Sequence, residues 1–155
     1  MKTRAVMLLC LLLAGCDQPN DTQLRLDASR QLQRTIDTNP LRNVCENIAR
    51  GREWLTQRTI DQLEAKGCQN VLRSATETNF THSETYRHAM TVVCGGIQGK
   101  SFTGTTLNRR FIYSSEEKAL VIEPMSDQDK TRFEGQKTLQ QLHDDFNRQN
   151  TQYCQ

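Results

Sequence analysis

The sequence predicts an α+β domain: helices first, then a small antiparallel sheet, then a closing helix. Three patterns carry this. Apolar residues recur at helical spacing in Leu41, Val44, Cys45 and Ile48. Alternation of period two takes over between Ala89 and Glu123. Helical spacing then returns in Leu139, Leu142, Phe146 and Tyr153. With 35% hydrophobic and 25% charged residues in a chain of 155, the core should be modest in size.

The elements follow in order. Leu24, Ala28, Leu32 and Ile36 form a thin i, i+4 stripe that permits a helix capped by Asp21 or Thr22. The surrounding Gln, Asp, Arg and Thr favour a polar tether over residues 16–39. Asn39-Pro40 punctuates, and Pro40 suits a first helical turn. A helix follows through Ile48, weakened at Gly51. Trp54, Leu55, Ile60 and Leu63 predict a second, with Gly67 as its C-terminal cap. Val71 to Arg87 shows no clear pattern.

Ala89 to Cys94 is expected as a strand, with Met90, Val92 and Cys94 on one face. Gly95, Gly96, Gly99 and Gly104 then predict a tight turn or bulged loop. Asn108–Tyr113 and Ala119–Glu123 read as a hairpin pair, with Pro124 ending the second strand. Ser126 is expected to cap the last helix, with Asp127 and Asp129 in its positive first turn. That helix should lay one face on the sheet.

The first sixteen residues concern address. Lys2 and Arg4 precede an unbroken apolar run, Ala5 to Ala14, which ends at Leu13-Ala14-Gly15-Cys16. As a helix the run would rise about 15 Å, half of a bilayer's hydrocarbon thickness, so it is too short to remain as a span. The stretch resembles the signal and lipobox of bacterial lipoproteins. That resemblance implies a signal peptide at residues 1–15, cleavage before Cys16, and diacylglycerol and palmitate-like acyl chains on Cys16. Three such chains would hold the protein to a membrane by on the order of 35 kcal/mol. Asp17 resembles the sorting residue that retains enteric lipoproteins at the periplasmic face of the inner membrane. The domain organisation expected is therefore signal peptide 1–15, tether 16–39 and a single disulfide-stapled domain 40–155.

Loss of Lys2 and Arg4 with the signal leaves 18 basic and 18 acidic residues. A neutral domain carries no electrostatic footprint for nucleic acid. With Cys10 in the signal and Cys16 lipidated, Cys45, Cys68, Cys94 and Cys154 remain, an even number suited to an oxidising compartment. Four cysteines allow three pairings. Cys45–Cys68 would staple the two early helices into a hairpin. Cys94–Cys154 would tie the end of the last helix to the first strand. Their spacing lacks the short pairs of a zinc site.

A second likeness covers residues 94–154. Cys94-Gly95, Gly99-Lys100-Ser101-Phe102, Gly104, Arg110-Phe111-Ile112 and a terminal Cys resemble a pattern in small secreted bacterial domains of no established activity. It implies a strand, loop, hairpin and helix closed by a disulfide.

No catalytic constellation stands out. Gly95 to Ser101 fails the phosphate-loop spacing, since Cys94 falls where the first glycine belongs. Glu116-Glu117 and His143-Asp144-Asp145 are neighbours that point apart, and His82 and His88 stand alone. The reading is a non-enzymatic, lipid-anchored periplasmic interaction module, with the membrane and an envelope protein as partners. It expects no nucleotide, nucleic acid, metal or cofactor. A small envelope hydrolase or cell-wall binder, and a pilotin or assembly factor of a secretion or conjugation apparatus, are the alternatives.

Overall fold

The computed structural model describes residues 18–50, 54–129 and 134–155. Four helices surround a four-stranded antiparallel sheet: α1 (Asp21–Asp37), α2 (Pro40–Ala49), α3 (Gln57–Ala65), β1 (Asn79–Arg87), β2 (Thr91–Lys100), β3 (Thr106–Ser114), β4 (Ala119–Ile122) and α4 (Leu139–Tyr153). The strands follow one another as a meander, β1-β2-β3-β4. The α+β class, the closing helix and both disulfides are therefore as the sequence predicts.

The first difference lies in α1. Its stripe of Leu24, Ala28, Leu32 and Ile36 is buried to 4% exposure or less against Val93, Ile97, Phe111 and Tyr113 of the sheet. The segment expected as a tether is a core helix from Asp21 onward. A polar helix with a narrow stripe still packs when a wholly apolar sheet face is offered to it. Each buried leucine or isoleucine contributes about 2 kcal/mol. The cap is Asn20, whose side chain accepts from the Gln23 N–H, one residue before the predicted Asp21.

The α2–α3 hairpin caps one end of the sheet. Asn39 caps α2 with Pro40 in its first turn, Thr56 caps α3, and Gly67 leaves α3 in the left-handed region at φ 79°. Trp54 precedes α3 and is 81% exposed, so it does not join the predicted apolar face. Gly51 and the leader, with Cys16 and Asp17, lie outside the described residues. Cys45 and Cys68 are bridged at a Cα separation of 5.7 Å and sit in a small core with Leu63, Val71 and Phe102.

The glycine cluster is mostly not a loop. Gly95, Gly96 and Gly99 lie within β2, and only Gly104, at φ 82°, serves the β2–β3 turn. The reason is β1, an edge strand that the sequence hides because none of its residues is fully buried. It shifts register between Phe80 and His82, which pushes its backbone against β2. A side chain at Gly95 would run into the His82 carbonyl.

On the other face, α4 sets Leu142 and Phe146 into the molecule, and Phe146 packs with Val92, Cys94 and Ile112. It starts later than predicted. Thr138 and Gln141 form a reciprocal capping box. Ser126 instead opens a short 3-10 turn, Asp127–Asp129, in which the Asp129 carboxylate takes up the N–H groups of Met125 and Ser126. Cys154 reaches Cys94 at a Cα separation of 6.0 Å, which closes the helix over the sheet.

Candidate functional site

The most developed concavity is a cleft of about 470 Å³ along β4. That size lies in the range of small-ligand or peptide sites. Its walls come from distant parts of the chain. The end of α1 supplies Ile36, and the connection after α3 supplies Leu72. Leu120, Val121 and Ile122 come from β4, and Phe146 from α4. Strand alternation sends Leu120 and Ile122 toward the α1 face, while Val121, 43% exposed, stands on the α4 side. The cleft thus straddles the β4 edge of the sheet, where no further strand pairs among the described residues.

Two of its charged groups, Asp129 and Asp145, are bound to neighbouring residues. Asp129 Oδ2 accepts from the Met125 and Ser126 N–H groups at 2.7 and 2.9 Å. Asp129 Oδ1 lies 3.7 Å from the buried guanidinium of Arg109. Burial lowers the pKa of Arg109, against the pull of Asp129 and Glu123. Its NH2 donates to the Asn70 carbonyl, while its Nε meets no acceptor among the described residues. Asp145 accepts from Lys137 at 2.6 Å and Arg148 at 2.5 Å, and these bonds hold its carboxyl below the usual range.

Beside the cleft, Arg110 bonds Glu123 at 2.6 Å and Asn147 at 2.6 Å, and sits 5.1 Å above the Phe146 ring. The Arg110 hydrogen bond depresses the Glu123 pKa. The cleft can therefore accept apolar side chains and an extended backbone. Two of its acids, Asp129 and Asp145, are already engaged by neighbouring donors.

The residues singled out in the sequence fall elsewhere. The His82 ring lies against Gly96, and its Nδ1 is 3.2 Å from Thr81 Oγ1. His88 Nε2 lies 2.9 Å from the Gln155 carbonyl oxygen. Glu116 accepts the Thr91 N–H and thereby ties the β3–β4 turn to β2. Lys100 donates to Thr106 across the β2–β3 pair, and Ser101 Oγ accepts from the Thr103 and Thr105 N–H groups of the turn. Asp144 accepts from Gln140 one turn earlier on α4. The structure does not bring these histidines and acids together. Among the described residues, no group of three or more His, Cys, Asp or Glu could hold a metal ion, and no helix is long and apolar enough to cross a membrane.

The cleft itself was not foreseen. Its only sequence signal was the strand pattern of Leu120 and Ile122 ahead of Pro124. No protein-family model matches the chain, and neither a curated protein nor a solved structure shows significant similarity to it.

Proposed function

We propose that the chain is a cell-envelope lipoprotein, held by acyl chains on Cys16 at the periplasmic face of the inner membrane, with Asp17 as the retention signal. It acts by binding an extended segment of another envelope protein along β4. The observation that carries the binding mode is the pairing of an edge strand, β4, which no other strand covers among the described residues, with an apolar cleft. An added strand could bond to the β4 backbone and place alternate apolar side chains in the cleft. The engagement of Asp129 and Asp145 by neighbouring donors favours this over hydrolysis.

The test uses the full chain in its native membrane, with a photo-crosslinking residue at position 121. One defined adduct is expected, lost on adding Leu120→Asp and absent when the probe replaces Glu64 on α3. Equal crosslinking at both positions, or persistence with Leu120→Asp, overturns the cleft as the binding site. In parallel, Cys16→Ser should abolish fatty-acid labelling and membrane retention. A variant that still labels and sediments with membranes overturns the anchor.

A further inference from the structure

We infer that one end of the sheet lies directly against the bilayer, so that the domain is seated on the membrane rather than suspended above it. This rests on the reading of Cys16 as the lipidated residue. The observation is a clamp on the start of α1. Arg87, at the end of β1, donates to the Pro19 carbonyl at 3.1 Å and to the Asp21 carboxylate at 2.7 Å. The chain is therefore part of the folded domain from Pro19 onward. Only three peptide steps separate Pro19 from Cys16, a reach of at most about 11 Å. Headgroups add about 10–15 Å to the hydrocarbon thickness over two leaflets, or about 5–8 Å on each side, so the link can carry Pro19 only a few ångströms beyond the headgroups.

The clamp also identifies which end is apposed. The Pro19–Asp21 clamp, the β1–β2 turn, the β3–β4 turn and the chain end after α4 meet there. The Ser115 N–H donates to the Thr91 carbonyl, and His88 lies 2.9 Å from the Gln155 carbonyl oxygen. The opposite end carries the β2–β3 turn and the α2–α3 hairpin. The ten residues of β2 separate the two ends by about 30 Å. The exposed Trp54 and the α2–α3 hairpin thus lie at the end turned to the aqueous compartment.

Charge does not drive this seating. Arg87 and Lys118 at this end are outnumbered by Asp21, Glu116 and Glu117. Apposition is imposed by the short covalent link, and it should be the same on neutral and anionic lipid.

The experiment places the full, lipidated protein, purified from membranes, in nanodiscs of neutral lipid doped with a gadolinium-chelating lipid. Amide signals of Arg87, Ala89 and Glu116 should lose most of their intensity, while those of Leu63 and Gly104 keep theirs. Anionic nanodiscs should give the same pattern. A long Gly/Ser spacer between Asp17 and Gln18 should restore the lost signals. Uniform weak broadening, broadening centred on α3, dependence on anionic lipid, or broadening that survives the spacer would each overturn the seating while leaving the anchor intact. The mass of the purified protein separates the two claims: an unmodified Cys16 overturns the anchor and the seating with it.

Discussion

The two faces of the sheet are covered by helices of similar polarity, but they are held in different ways. On the first face, α1 buries four apolar residues in one continuous stripe, and polar ties to the sheet run from the exposed Arg25 to the Ser83 carbonyl and from Arg87 to Asp21. On the second, α4 fully buries only Leu142 and Phe146. The deficit is made up by the Cys94–Cys154 bridge and by Arg110 of β3, which lies over Phe146 and donates to Asn147. A helix with a narrow stripe can be kept on a sheet by burial when the stripe is unbroken. Where it is not, covalent and charged contacts supply the hold.

The largest expected effect breaks that difference at its covalent point. The Cys94–Cys154 bridge spans 60 residues, and in the chain-entropy model its removal costs about 4 kcal/mol. In Cys94→Ala with Cys154→Ala, hydrogen exchange should accelerate through α4, while the α1 amides around Leu32 remain protected. Equal loosening of both helices would mean that the two faces are not held separately. The Cys45–Cys68 bridge spans 23 residues and should cost less by under 1 kcal/mol in the same model.

Next in size is Leu32→Ala on α1, which should lower stability by about 3 kcal/mol through lost burial and the cavity left behind. The readout is the denaturant midpoint, with α1 and the sheet unfolding together. A loss within the range of surface substitutions would return α1 to the status of a tether.

The smallest effect concerns the charged contacts of the second face. Arg110 depresses the Glu123 pKa, so this pair contributes stability above the unfolded carboxyl value of about 4.3. That contribution is lost as pH falls through the lower folded value. Because Arg110 is partly exposed, Glu123→Gln should cost less than about 1 kcal/mol at neutral pH. The cost should shrink toward zero in acid. A Glu123→Gln penalty that stays constant down to pH 3 would remove ionisation as its cause.

The sequence by itself determined what depends on near neighbours. Asn39-Pro40 opens α2 and Gly67 ends α3 because caps are local. The alternation through Phe111, Tyr113, Leu120 and Ile122 is local too, and so is the stripe of α4. The disulfide pairing followed once those elements were placed. The tertiary structure alone decided what depends on distant partners. Whether the stripe from Leu24 to Ile36 lies loose or in a core turns on the sheet face that receives it. Gly95 belongs to a strand rather than a turn because the shifted backbone of β1 leaves no room for a Cβ, and nothing near Gly95 encodes that approach. β1 itself was invisible, since an edge strand with no fully buried residue has no period to display. The cleft was beyond local reading for the same reason. Ile36, Leu72, Ile122 and Phe146 are brought to one place by packing, and local periodicity carries no information about which separated segments will meet.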